Sequence, residues 1–181
     1  DMFLGAHVRR LTGRANMYVW MGECHVHAGI TPARVAEQRA AHPEAEFLVH
    51  PECGCSTSLL EAMSAGDIDP EGVQVLSTEG MIRRPSQSSA DTFVVATEVG
   101  ILHRLRRAYP DRTFLAADDR ASCQYMKVTT LPKVVNALER MEHRITVPRE
   151  IADRARGAID RMVRIGGGAP AAGAPAALVG E

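Results

Sequence analysis

The chain of 181 residues is 45% hydrophobic and 24% charged, and its formal net charge is −1 at pH 7. This balance is typical of a globular protein with a real core, and the near neutrality argues against nucleic-acid or membrane-surface partners. No apolar stretch approaches the roughly 20 residues that span a bilayer, and the amino end lacks the order of a signal peptide. We therefore expect a cytoplasmic protein whose four cysteines are ligands, nucleophiles or buried thiols rather than disulfides.

Helix and strand patterns alternate along most of the chain. Helical spacing predicts helices over residues 1–10, 31–42, 56–65 and 99–109. Apolar runs predict strands that begin at Met17, Phe47, Val73, Phe93 and Asp111. Such alternation is typical of the α/β class, in which a parallel sheet is covered by helices.

The pattern changes after Cys123. Apolar residues at helical spacing predict two amphipathic helices, over residues 131–141 and 151–162. Residues 166–181 are rich in Gly, Ala and Pro. Such a composition buries too little apolar surface to become ordered, so we expect a flexible tail.

Reactive or polar side chains follow the predicted strands. They are Cys24, His50, Glu52, Ser77, Thr78, Thr97 and Glu98. Because the carboxyl ends of parallel strands meet at one edge of a sheet, this pattern predicts a small-molecule site.

His50 and Glu52 flank Pro51 and are suited to holding a dicarboxylate or to moving protons. Ser77 and Thr78 could bind a carboxylate or phosphate at the start of a helix, or Ser77 could be a plain N-cap. For Glu98 the alternatives are a site residue and an acidic residue in the first turn of a helix.

The cysteines permit several interpretations. Cys24 and Cys123 suit a soft metal or an iron-sulfur cluster, or they are two buried thiols. A zinc site built from Cys53 and Cys55 with His50, Cys24 and His27 is an alternative, although its spacing matches no usual zinc pattern. If residues 24–27 are extended, His25 and His27 face one way and Cys24 the other, so at least one histidine is expected to be a structural hydrogen-bond donor.

Five motifs occur together in one order. They are Trp20-x-Gly22-x-Cys24-x-Val26-His27, His50-Pro51-Glu52-Cys53, Ser77-Thr78, Ala96-Thr97-Glu98-x-Gly100-Ile101 and Cys123-x-x-Met126-Lys127. In order and approximate spacing they resemble the quinolinate synthase family, from residue 1 to about residue 165.

This resemblance implies an enzyme of de novo NAD biosynthesis that condenses iminoaspartate with dihydroxyacetone phosphate to give quinolinate. It implies three-layer αβα domains with short parallel sheets about a pseudo-threefold axis, each contributing one cysteine to a 4Fe-4S cluster. One iron of that cluster is open and acts as a Lewis acid. The resemblance also implies functional coupling to L-aspartate oxidase.

Residue by residue, the resemblance implies that Cys24 and Cys123 are the second and third cluster ligands. His50 and Glu52 are the implied catalytic residues, which contact the iminoaspartate-derived portion and assist proton transfer. The implied substrate-binding set is His50, Pro51, Glu52, Ser77 and Thr78, with the last two on a substrate carboxylate.

The chain also departs from the family pattern. The first domain and the start of the second have no counterpart, and no initiator Met stands at position 1, which fits a fragment or a processed chain. The expected domains are the end of the second αβα domain (1–24), the third (25–123), carboxyl-terminal helices (124–165) and the tail (166–181). The segment between Glu52 and Ser77 is long and is expected to be a surface elaboration that holds Cys55. Glu79 stands where many members have a small residue.

Three hypotheses follow. The chain is part of a working quinolinate synthase, or a truncated product that acts at most as a binding module, or a zinc protein that uses Cys24, Cys53 and Cys55.

Overall fold

The computed structural model describes residues 1–56 and 72–165. The chain divides into two compact units, Asp1–Val128 and Thr129–Glu181. The predicted tail lies outside the described residues, as does almost all of the helix predicted over 56–65.

Helices and strands alternate in the first unit. The helices described there are α1 (Met2–Thr12), α2 (His25–Gly29), α3 (Pro32–Ala41), α4 (Thr78–Arg83) and α5 (Ile101–Ala108). The strands are β1 (Glu46–Val49), β2 (Val73–Val75), β3 (Thr92–Ala96) and β4 (Thr113–Ala116). The helices predicted over residues 1–10, 31–42 and 99–109 are thereby confirmed within two residues at each end, and the strand predicted to begin at Asp111 begins at Thr113.

The four strands form one sheet in the order β2-β1-β3-β4, and every pair is parallel. Phe47 of β1 lies opposite Val73 on one side and Val94 on the other. The chain leaves β1 for β2 and then returns across β1 to reach β3. The strand order therefore reverses between β1 and β3, and this is where open α/β sheets bind ligands.

Both faces of the sheet are buried. Phe47 and Val49 of β1 contribute to one core cluster, together with Val26 and Val35 from α2 and α3. Leu48 of β1 points to the opposite cluster, which contains side chains from α4 and α5, namely Met81, Leu102 and Leu105. Alternate residues of each strand thus pack against helices on opposite faces, and the expected three-layer αβα class is confirmed.

One predicted strand is wrong. Residues 17–20 form no strand, and the side chains of Tyr18 and Trp20 are exposed. The continuous apolar run resembles a strand, but among the described residues no strand edge pairs with it. Before it, α1 ends at Gly13, whose φ of 64° is left-handed and whose N–H donates to the Arg9 carbonyl.

The second unit contains α6 (Leu131–Arg140) and α7 (Arg149–Ile165), which confirms the two predicted amphipathic helices. Their apolar residues are exposed, among them Leu131, Leu138, Met162 and Ile165. None of the described helices has the length and apolar character needed to span a membrane.

Candidate functional site

Backbone hydrogen bonds align the carboxyl ends of all four strands. The Leu76 N–H donates to the Val49 carbonyl over 2.9 Å, and the His50 N–H donates to the Ala96 carbonyl over 3.2 Å. The Ala117 N–H donates to the Val95 carbonyl over 3.0 Å. The residues that follow the strands therefore stand in one row along this edge. In the order of the sheet they are Ser77, His50, Thr97 and Asp118.

Three side chains converge at the centre of that row. Nδ1 of His27 lies 3.3 Å from Oε2 of Glu52, and Nδ1 of His50 lies 3.9 Å from the same oxygen. One potential ligand atom from each of His27, His50 and Glu52 lies within 4.8 Å of the other two. Solvent reaches the cluster mainly at Glu52, whose side chain is 30% exposed, whereas the side chains of His27 and His50 are 11% and 14% exposed. Such a group can hold a polar ligand and exchange protons with it.

Thr97 fixes the ring of His27 from the other side. Its Oγ1 is 2.8 Å from Nε2 of His27, in a buried contact. Within the described part of the chain, Nδ1 of His27 is buried and makes no aligned hydrogen bond. A proton on Nδ1 is attracted by the nearby Glu52 carboxylate, whereas a bare lone pair is repelled. The electrostatics therefore favour the tautomer in which Thr97 donates to Nε2 and Nδ1 carries the proton.

Burial keeps both imidazoles uncharged near neutral pH. Desolvation lowers the pKa of His27, although the Glu52 carboxylate opposes that shift. Desolvation also lowers the pKa of His50, and the charge of His27 lowers it further. The Glu52 carboxylate opposes this shift as well. Neutral imidazoles beside a carboxylate are poised to accept a proton.

His27 reaches this cluster because residues 25–29 are helical, so the expectation of an extended segment is wrong. Cys24 is the extended N-cap residue of α2, and its carbonyl accepts the Ala28 N–H. On so short a helix, His25 remains exposed while His27 is buried. Sequence reasoning placed His27 only in a zinc alternative or in a structural role. A five-residue helix is too short for apolar periodicity to reveal it.

Cys24 and Cys123 are free thiols at the same end of the unit. Cys123 belongs to the core cluster against which Cys24 packs. Their neighbours meet as well, because the rings of His25 and Tyr125 contact edge to face with 5.5 Å between centroids. The fold thus places both thiols in or against one core cluster and brings their neighbours into contact.

Cys53 and Cys55 are joined by a disulfide, which corrects the expectation that the cysteines form none. Both are fully buried, whereas most of the predicted surface elaboration between Glu52 and Ser77 lies outside the described residues. Gly54 lets this turn approach α2, since a Cβ there would lie 3.1 Å from the Ala28 carbonyl oxygen. Disulfide sulfurs are not thiolate ligands, and the zinc alternative built on them is not supported.

Ser77 is the N-cap of α4, and its Oγ accepts the Gly80 N–H over 3.2 Å. Thr78 follows it, and both residues are exposed on the row of strand ends, as is Glu79. The Ser77 hydroxyl therefore serves as a cap. A carboxylate-binding role for Ser77 and Thr78 stays a prediction.

The fold and the site define a class, namely parallel αβα proteins with a cluster of polar side chains at the switch point of the sheet. The family model described as quinolinate synthetase A protein, NadA, matches residues 1–164, and the chain therefore belongs to this family.

Curated relatives named quinolinate synthase come from Mycobacterium sp. (strain KMS), Mycobacterium leprae (strain TN) and Mycobacterium tuberculosis. The chain is 51%, 51% and 50% identical to them over 166 residues, or 92% of its length. The matched region is 49%, 47% and 48% of these relatives. The chain thus spans about half the length of the curated relatives it matches.

Proposed function

We propose that this chain is the carboxyl-terminal part of a quinolinate synthase. The reaction condenses iminoaspartate with dihydroxyacetone phosphate and releases phosphate and two waters. The single observation that carries the proposal is the convergence of His27, His50 and Glu52 on the edge of the sheet that follows the aligned strand ends. Membership of the family supports it.

The proposed cofactor is a 4Fe-4S cluster, and the residues present fit it. Cys24 and Cys123 are free, lie at the same end of the unit and offer the soft sulfur donors that iron-sulfur clusters use. When bound, the cluster supplies Lewis acidity at an open iron. A third cysteine, expected from the resemblance, belongs to a region outside this chain.

The proton chemistry is assigned to side chains of this chain. The neutral imidazole of His50 accepts a proton from the condensing substrates and returns one to a departing hydroxyl group. The Glu52 carboxylate, whose Oε2 lies 3.9 Å from Nδ1 of His50, stabilises the imidazolium that forms in between. His27 carries its proton on Nδ1 and accepts from Thr97 at Nε2, so it orients the cluster and does not transfer protons itself. Burial of the His50 ring favours this cycle, because it returns the ring to the neutral form.

Substrate binding is assigned to the same edge. Pro51 sets the turn that carries His50 and Glu52, and these three residues contact the iminoaspartate-derived portion. The hydroxyl of Thr78 and the residues around Ser77 bind a substrate carboxylate. Iminoaspartate is an imine, and water hydrolyses it. The proposal therefore includes functional coupling to L-aspartate oxidase, which would supply iminoaspartate as it is formed.

A second candidate is a non-catalytic product that folds and binds ligand without turnover. The observation behind it is that the described part of the chain contains two free cysteines, whereas the resemblance implies a cluster with three cysteine ligands.

Anaerobic reconstitution with iron and sulfide tests both candidates. This chain is loaded alone and together with the remaining amino-terminal portion of the Mycobacterium leprae relative, and iron, sulfide and quinolinate are measured. About four irons and quinolinate formation in the combined sample support the first candidate. A combined sample that binds iron without turnover supports the second. Retention of a full cluster by Cys24→Ser or Cys123→Ser would contradict the assignment of the ligands.

A further inference from the structure

We propose that Glu98 is a positioning residue that fixes the backbone from which Cys123 presents its thiol. The importance of this role for catalysis rests on the proposed function, which makes Cys123 a ligand. The positioning itself rests on the contacts of one buried carboxylate at the end of β3. The residue is 8% exposed.

The carboxylate joins three parts of the chain. Oε1 accepts the Cys123 N–H over 3.2 Å and lies 3.1 Å from Nζ of Lys127. Oε2 accepts the Gly100 N–H over 2.7 Å. Both oxygens are therefore engaged, and the partners come from the start of α5 and from the segment around Cys123. Bonds between an ionised acceptor and N–H donors are the stronger kind of protein hydrogen bond.

Backbone bonds extend the same connection. The Val99 N–H donates to the Ala121 carbonyl over 2.9 Å, and the Lys127 N–H donates to the Cys123 carbonyl over 3.3 Å. The loop that carries Cys123 is thus tied to β3 just before the cysteine, and at the cysteine itself by Glu98.

Position 100 is shaped around the carboxylate. A Cβ at Gly100 would lie 2.6 Å from Oε2 of Glu98 and 3.0 Å from Nζ of Lys127. Carbon atoms do not approach that closely, so a side chain at position 100 displaces the carboxylate or the ammonium group. A glycine here leaves room for the bond to the Cys123 amide.

The alternative role of Glu98, an acidic residue at the start of a helix, explains only the bond to Gly100. It does not explain the bond to an amide 25 residues further along the chain. Groups that orient a metal ligand typically change affinity by 10–100-fold when they are removed, so a ligand at Cys123 would depend on this anchor.

The test uses this chain, reduced and free of iron. The exchange rate of the Cys123 amide is measured by NMR, and the alkylation rate of Cys123 is compared with that of Cys24 by mass spectrometry. In Glu98→Ala we expect the Cys123 amide to exchange about tenfold faster, because it loses a charge-assisted bond. Alkylation of Cys123 should rise in parallel, while that of Cys24 changes by less than about twofold.

Two further variants separate the anchor from general loosening. Gly100→Ala keeps the carboxylate but crowds it, and should also speed exchange at Cys123. Asp119→Asn changes an exposed acidic residue of the same loop and should leave both rates unchanged. Protected amides in β1 and β3 establish that each variant is folded.

An unchanged Cys123 amide in folded Glu98→Ala overturns the proposal. If that variant does not fold, an unchanged amide in Gly100→Ala overturns it equally. The exchange and alkylation measurements are made without iron. Failure of cluster reconstitution would therefore contradict the proposed function but would not affect the conclusion that Glu98 positions Cys123.

Discussion

The imidazole rings of His27 and His50 stack almost in parallel, with 4.6 Å between their centroids and 10° between their planes. One ring comes from α2 and the other from the end of β1. Two charged imidazoles at this separation would repel each other, and both are largely shielded from water. The stack therefore favours a state in which at most one of the two rings is a charged imidazolium.

The stack predicts that the folded chain loses stability in mild acid. The pKa values of His27 and His50 lie below the usual 6.5 in the folded state. Below pH 6.5 the unfolded chain then binds more protons than the folded chain, so the free energy of unfolding falls as the pH falls. Urea denaturation at pH 7.5 and pH 5.5 measures this fall.

The variants His50→Asn and His103→Asn make the test specific. His103 is exposed on α5, so His103→Asn should retain the full pH dependence. In His50→Asn the dependence should be smaller because one of the two buried rings is gone. Equal pH dependence in all three proteins would contradict the prediction.

Thr97→Val should disturb His27 while the sheet remains intact. The change removes the hydroxyl 2.8 Å from Nε2 and leaves a buried ring nitrogen without its partner. We expect a loss of about 1–3 kcal/mol in unfolding free energy. Nitrogen NMR of the ring should still show the Nδ1–H form, because Glu52 remains beside Nδ1, but the Nε2 resonance should shift because that nitrogen no longer accepts a hydrogen bond.

Thr113→Val is the matched control, since Thr113 is an exposed residue at the start of β4. It should change stability by less than about 0.5 kcal/mol. An unchanged Nε2 resonance of His27 in Thr97→Val would refute the donor role assigned to Thr97.

Glu52→Gln should reduce turnover without loss of iron. In the proposed enzyme, the change removes the charge that stabilises an imidazolium on His50 but leaves Cys24 and Cys123 unchanged. We expect a decrease in kcat of about 100-fold or more, with an unchanged iron count. Loss of iron from this variant would instead make Glu52 part of the metal environment.

Leu48→Ala should test the core of the sheet. Leu48 is fully buried at the middle of β1, on the face covered by α4 and α5. Its truncation should lower the unfolding free energy by about 2–5 kcal/mol. Leu11→Ala, at a position that is 72% exposed, should cost less than about 0.5 kcal/mol, and equal losses would rule out this description of the core.

Local sequence patterns were sufficient for most of the elements. The run Phe93 to Ala96 is continuous and apolar because β3 is buried on both faces. Thr31 and Pro32 mark the start of α3 by a cap and a fixed φ. The strand order could not be predicted in this way, because the pairing of β1 with β3 joins segments far apart in the chain.

The candidate site was predictable only in part. His50 and Glu52 follow a strand directly, so their position at the carboxyl edge follows from the class of fold. The approach of His27 depends on α2, whose five residues stay helical through packing against the core rather than through propensity. The role of Glu98 depends on a contact with Cys123 that no local pattern contains.

Thr97 and Glu98 are consecutive residues, yet Thr97 contacts the ring of His27 and Glu98 binds the amide of Cys123. Both residues directly follow β3, so insertion or deletion of one residue in this strand would turn each of its side chains to the other face and displace both contacts. We therefore expect β3 to tolerate substitutions better than changes in its length. Gains and losses of residues are expected in the loops at the opposite edge of the sheet.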